Sequence, residues 1–293
     1  MRSYIFLLLI FLIGGIVSTR WNFADYSSSS IGGRYIPPSL AELRDAEILL
    51  TRTLKGELSN VLKKDFNNQG FTIKSLTIDN TVFTVVQESQ EKRTGRGFYM
   101  FRQSSGLPIA LQAPHRYKDL YTGEIAHQLM REGNYVATAW NTVPRYGKNK
   151  RDNFADMAHL ENTIFQSFSR AFAQQYPTGM IVQIHGFAQH KRKTRAGRST
   201  DLILSDTTLT PSQHTLNIGE CLKSKLTGFT VRIYPYEVRE IGGTRNANAR
   251  DLRAHGFHQF IHVEMSKPLR KQLRKDKQLR MLFNSCFAPI PTR

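Results

Sequence analysis

The sequence predicts an α/β fold built on a largely parallel sheet. Short apolar runs alternate with helix-spaced segments over most of the chain, the pattern of strands joined by crossover helices. A content of 40% hydrophobic and 22% charged residues in 293 positions supplies a sizeable core and argues against disorder. Repeats, collagen-like periods and long low-complexity tracts are absent, which removes solenoid and fibrous architectures.

Taken in order, Ser39 can cap a helix running through Leu40, Leu43, Leu54, Leu58 and Leu62. Phe71 to Ile78, Thr81 to Gln87 and Gly97 to Arg102 read as a small meander, separated by Asp79-Asn80 and by a charged turn. Beyond it, strands are expected at Leu107 to Ala113, Tyr135 to Asn141, Gly179 to Ile184, Leu202 to Ser205, Phe229 to Ile233 and Phe260 to Met265. Helices are expected at Tyr121 to Glu132, Asn162 to Gln174, Thr210 to Leu226 and Leu269 to Phe283. No strong linker divides residues 100 to 290, and one domain is expected over 39–293: a helix and meander over 39–105, then an α/β catalytic part over 106–293.

Arg2 and the uncharged apolar run from Ile5 to Val17 read as a signal peptide over residues 1–20, since thirteen residues fall short of the roughly 20 that span a bilayer. An uncleaved anchor or a buried first element are the other readings. Residues 21–38, with Ser27 to Ser30, Gly32-Gly33 and Pro37-Pro38, form a flexible lead-in. The expected location is periplasmic or secreted, where the two cysteines, Cys221 and Cys286, could pair or remain buried thiols. With 41 basic and 23 acidic residues the chain carries a formal charge of +18, which favours an anionic partner.

Three strand ends carry residues fit for metal or acid–base chemistry. One leads into His115, with Asp119 four residues on; the second carries His185; the third holds Glu264. Ligand crevices of open α/β sheets lie beyond the carboxyl ends of the strands, so these groups can converge. Two imidazoles and a carboxylate leave a fourth position of zinc open to water, as a catalytic site requires. Each residue also has a plain structural reading: a hydrogen-bonded histidine, or Asp119 as a helix cap, with Glu124 the rival carboxylate. In the Phe260 to Met265 strand, Ile261, Val263 and Met265 share one face and His262 and Glu264 the other, which buries an acid that must be paired or functional. Asp156 and His159 are read as lining the cleft or bracing a ligand, with helix capping the simpler role for Asp156. Basic runs fall at Lys148 to Arg151, Lys191 to Arg198 and Lys267 to Arg280; the second follows His185 and can draw an acidic substrate to the cleft.

Together, Ala113-Pro114-His115 with Asp119 and Thr122, Gln183-Ile184-His185-Gly186-Phe187, Asn246 with Arg250, and His262-Val263-Glu264 with Arg270 resemble the zinc hydrolases grouped around carboxypeptidase A, N-formylglutamate amidohydrolase and phage poly-gamma-glutamate hydrolase, over about residues 95 to 285. The resemblance implies a phosphorylase/hydrolase-like mixed sheet flanked by helices and a single Zn2+ ion. It makes His115, Asp119 and His185 the metal ligands and Glu264 the general base. The usual close His-to-Glu ligand spacing is replaced here by the aspartate four residues on, which keeps Glu124 open as the acidic ligand. Arg245 with Asn246 matches the family's pair that grips a carboxylate, and Arg145 is the next candidate; a planar guanidinium suits such a partner.

The function expected is therefore an exported zinc-dependent amidohydrolase or carboxypeptidase-like enzyme cutting an amide near a carboxylate, in an acyl-glutamate, polyglutamate or cell-wall peptide, with association to an anionic envelope. The alternative is a non-catalytic basic exported protein that binds an anionic polymer or nucleic acid. No zinc finger, RNP string or helix-turn-helix supports a nucleic-acid partner. HExxH, GxSxG and P-loop strings are also absent.

Overall fold

The computed structural model describes residues 34–89, 93–146 and 155–287. The signal segment, the lead-in before Arg34 and the basic run Lys148 to Arg151 lie outside the described residues. Two helices come first, α1 (Leu40–Leu54) and α2 (Asn60–Asn68), then strands β1 (Phe71–Ile78), β2 (Thr81–Glu88), β3 (Phe98–Arg102) and β4 (Leu107–Ala113). Next are α3 (Thr122–Glu132), β5 (Tyr135–Trp140), α4 (Ile164–Gln175), β6 (Met180–Phe187), a short α5 (Arg195–Arg198) and β7 (Leu202–Ser205). The chain continues through α6 (Gln213–Lys225), β8 (Val231–Ile233), α7 (Ala247–Ala254), β9 (Phe260–Ser266), α8 (Lys267–Lys275) and α9 (Lys277–Ser285).

All nine strands form one sheet in the order β1-β2-β3-β5-β4-β6-β9-β7-β8. The central strands β5, β4, β6 and β9 are parallel. The meander β1 to β3 joins them antiparallel through β5, and β7 runs antiparallel to β9. The sheet is thus mixed, with its parallel portion confined to the middle and to the β7–β8 pair. Helices α3, α6, α8 and α9 cover one face, burying Ile125, Leu129, Ile218, Leu222, Leu269 and Phe283. Helices α1, α2, α4 and α7 cover the other with Leu50, Phe66, Phe168 and Leu252. The two-residue alternation of β9 divides between these cores as its sequence implies: Ile261, Val263 and Met265 belong to the first, Phe260 to the second.

Two helices differ from expectation. Ser39 does cap α1, in a reciprocal box with Glu42, accepting from the Glu42 amide at 3.3 Å while Glu42 accepts from Ser39 at 2.8 Å. The helix then ends at Lys55 instead of continuing to Leu62, and a new one begins where Ser59 accepts from the Leu62 amide at 3.1 Å. The basic C-terminal helix likewise divides at Asp276, which leaves helical geometry and caps α9 through the Leu279 amide at 3.1 Å. In both places a capping side chain competes with helix continuation and wins. Helix α7, absent from the periodicity reading, starts at the Asn246 cap.

Cys221 of α6 and Cys286, just after α9, are joined in a disulfide with Cα atoms 5.5 Å apart, which settles the open question of their pairing. Among the described residues no helix is long and apolar enough to cross a membrane.

Candidate metal centre

β4 and β6 pair in parallel with Gln112 opposite Gln183, so the segment leaving β4 emerges beside His185. That segment turns at once: the Asp119 amide donates to the His115 carbonyl at 2.8 Å, and this helical turn returns the Asp119 carboxylate to its own histidine. Asp119 Oδ2 consequently lies 3.6 Å from His115 Nδ1 and 3.6 Å from His185 Nδ1. The three donors lie within 4.8 Å of one another, and all three residues are buried. Asp119 caps no helix; α3 begins at Tyr121 without a side-chain cap. Glu124, the rival carboxylate, points elsewhere and pairs with Arg274 at 2.8 Å.

The far edge of each imidazole is fixed by an acceptor. His115 Nε2 meets Asp156 Oδ1 at 2.7 Å, and His185 Nε2 meets Gln183 Oε1 at 2.8 Å. An acceptor at Nε2 requires the proton there and leaves the Nδ1 lone pair facing Asp119, the tautomer a metal needs. Gln183 is itself oriented, because its amide nitrogen donates to Gln112 Oε1 at 2.8 Å and Gln112 donates to Ser169 at 2.8 Å. This donor set of two imidazoles and a carboxylate, with protons held on the opposite edges, fits a divalent metal.

Burial alone would lower His115, but the Asp119 and Asp156 carboxylates outweigh it and raise its pKa. His185 is depressed to about 4, chiefly by burial and next by His262, despite the Asp119 contact. Burial pushes the Asp156 carboxyl upward, yet its hydrogen bonds with His115 and His159 hold it well below the usual range. It also meets the Arg145 guanidinium. Asp156 is therefore the charged brace of the His115 ring. Asp156→Asn is expected to weaken metal affinity by about 10- to 100-fold, read by competition with a chelator; an unchanged affinity would remove it from that role.

Glu264 follows from register. β9 pairs with β6 so that Glu264 stands opposite His185 and His262 opposite Gln183. Glu264 Oε1 is 3.5 Å from His262 Nε2, its Oε2 has no hydrogen-bond partner, and neither ring nitrogen of His262 has one. These groups line a cavity of about 440 Å³, together with Arg145, His159, Arg239, Arg245 and Asn246. Of the residues read as carboxylate-binding, Arg145 and Arg245 line the cavity, Arg145 while ion-paired with Asp156. Asn246 instead spends its amide inside the fold, donating to Gln183 at 2.5 Å and accepting from the Ala249 amide at 3.2 Å. Arg250 pairs with Glu161 at 2.7 Å on the surface.

Three features had no role in the sequence reading, although Gln183 and Arg270 stand among the residues that carry the resemblance. Gln112 and Gln183 are polar positions inside apolar strands, and only the folded geometry joins them into a tautomer-setting chain. Arg270 reaches the site's edge from α8, 5% exposed, with Nη1 unpartnered. A Cβ at position 186 would stand 1.6 Å from that nitrogen, so only glycine admits the guanidinium. Burial lowers the Arg270 pKa and the fields of Asp119 and Glu264 partly restore it. Third, the wall between Tyr234 and Asn246 contains Ile241 at φ 50°, a left-handed conformation that costs a side chain of this kind about 1–2 kcal/mol.

No protein-family model and no curated protein matches the chain. Among solved structures it is similar to a metallo-carboxypeptidase from Burkholderia cenocepacia, with 11% identity, a TM-score of 0.40, and 74% of this chain and 76% of that chain covered. It is also similar to N-formylglutamate amidohydrolase from Ralstonia eutropha, with 12% identity, a TM-score of 0.43, and coverage of 62% and 94% respectively. At these identities the likeness is one of fold alone.

Proposed function

We propose that the chain is an exported zinc-dependent hydrolase that cleaves an amide bond next to a carboxylate. One observation carries this reading: a buried His115, Asp119 and His185 donor set stands beside Glu264, whose Oε2 has no partner, at a cavity lined by guanidinium groups. Zinc, when bound, supplies Lewis acidity and makes water nucleophilic at neutral pH. Asp156 and Gln183 keep the two imidazoles in the ligating tautomer. Glu264 takes the proton of the attacking water at Oε2 and hands it to the leaving nitrogen as the C–N bond breaks, giving a carboxylic acid and an amine. Arg145 and Arg245 hold the substrate carboxylate. The disulfide supports an oxidising compartment.

The formal charge of +18 favours a second reading, in which the protein binds an anionic polymer without chemistry. A half-buried carboxylate at the cavity with one oxygen lacking a hydrogen-bond partner would be a cost without a return in such a protein. The two are separated by metal analysis of the purified protein combined with cleavage assays on acyl-glutamate, polyglutamate and wall-peptide substrates. One equivalent of zinc is expected, with cleavage lost in chelator and regained with zinc. Protein that is metal-free and inert on every substrate, yet binds polyanion in chelator with steep salt dependence, would replace the enzyme by the binding protein.

A further inference from the structure

The strained wall of the cavity is tied to the segment after β6 by one carboxylate, while the Ser205 hydroxyl donates to the Gly242 carbonyl at 2.8 Å and Ile241 packs near Phe187, Ile203 and Val238. Glu240 directly precedes Ile241, the left-handed residue, and its side chain leaves the wall to grip the segment that follows β6. Oε2 accepts from the Lys193 amide at 3.0 Å, and Oε1 accepts from the Thr194 amide at 2.8 Å and the Thr194 hydroxyl at 2.6 Å. The Thr194 hydroxyl accepts in turn from the Gly197 amide at 3.0 Å, so the grip is continuous with the N-terminal cap of α5. Gly197 gives the carboxylate its seat: a Cβ there would lie 2.5 Å from Oε1. Burial pushes the Glu240 carboxyl up, but the Thr194 hydroxyl and the Lys193 and Thr194 amides outweigh it and hold the group at about 2, so it is ionised across the working range. On either side of the strained residue, Arg239 and Arg245 line the cavity, exposed toward its mouth.

A β-branched residue persists in the left-handed region only where the surroundings over-determine it. Three hydrogen bonds to one ionised side chain, adjacent in sequence, supply the charged part of that over-determination, beside the Ser205 bond and the packing of Ile241. We propose that Glu240 is a positioning residue, clamping the wall so that Arg239 and Arg245 together face the cavity and select a ligand with a carboxylate at that side. This rests on the cavity being the substrate site. It adds Arg239 to the recognition set and gives the segment after His185 a task beyond surface charge: it is the anchor of the selecting wall.

The test is calorimetric binding of N-acetyl-L-glutamate and of its uncharged analogue, N-acetyl-L-glutamine amide, to zinc-loaded protein in a Glu264→Gln background that prevents turnover. Glu240→Ala is expected to weaken acetylglutamate at least tenfold and to leave the neutral ligand and the zinc affinity within twofold. Gly197→Ala, which keeps the carboxylate but crowds it, should reproduce the effect, as should the double variant Arg239→Ala/Arg245→Ala. Glu240→Gln, which retains one acceptor oxygen, should fall between. Wild-type acetylglutamate affinity in Glu240→Ala and Gly197→Ala overturns the proposal, as does equal loss of both ligands and of zinc, or no acetylglutamate binding by the parent. Charge-selective loss in a protein without amide cleavage would sink the hydrolase reading and keep the clamp. Zinc-dependent cleavage with unaltered ligand binding in Glu240→Ala would sink the clamp alone.

Discussion

Replacing Glu264 by glutamine is expected to reduce kcat by about 10³-fold while the protein keeps its full complement of zinc. Glutamine fills the same volume on β9 and preserves the packing opposite His185, but its amide cannot take a proton from water. The Glu264 carboxylate stands apart from the donor set of His115, Asp119 and His185, so metal content should not follow activity. This separation makes the experiment decisive. Zinc stoichiometry and single-turnover rates are measured on the same preparation. Loss of zinc in the variant would show that Glu264 is a ligand, and retention of more than a tenth of the activity would show that another group moves the proton.

The second large effect concerns the whole fold. Reducing the Cys221–Cys286 bond, or changing both residues to serine, should cost about 4 kcal/mol, because the bridge closes a loop of 65 residues that the unfolded chain would otherwise leave open. For a chain of this size that corresponds to a fall in Tm of about 7 °C. The bridge ties α6, over β7 and β8, to the end of α9, which packs on α3 and α8, and neither cysteine lines the cavity. Zinc affinity at 25 °C should therefore survive. A Tm within 2 °C of the oxidised protein would mean that packing of the two helices already restrains the chain as well as the bond does.

The elements that sequence reading found are those whose signal is local. β1, β4 and β7 have the expected bounds because each is an apolar run closed by turn residues, and the faces of β9 were readable from its alternation. Strand direction is not local: nothing within Leu202–Ser205 states that it runs against β9. Helix α7 has little apolar period because its buried face includes Asn248, whose amide nitrogen donates to the Met157 carbonyl at 2.8 Å. The site was legible to the extent that strand ends nominate it, which gathered His115, His185 and Glu264. Choosing Asp119 over Glu124 needed the turn after β4, a conformation and not a composition. The same holds for Asn246, whose amide serves Gln183, and for Glu240, whose charge would pass as solvated until its three donors are seen.

The two cores on opposite faces of the sheet bear on how the protein is made. Arg270 is flanked by Leu269 and Leu273, which pack in one core; Asp156 lies between Ala155 and Met157, and Asn246 opens α7, all anchored in the other. A partly assembled chain with only one face covered would lack either the brace of His115 or the cation beside Asp119. Under the proposed metal-hydrolase reading, full metal affinity is therefore expected only once both faces of the sheet are covered. Zinc at 100 times its Kd would then add about 2.7 kcal/mol to the native state and nothing to its precursors. Under that reading the ion would bind after the fold has closed on both sides, and would seal it.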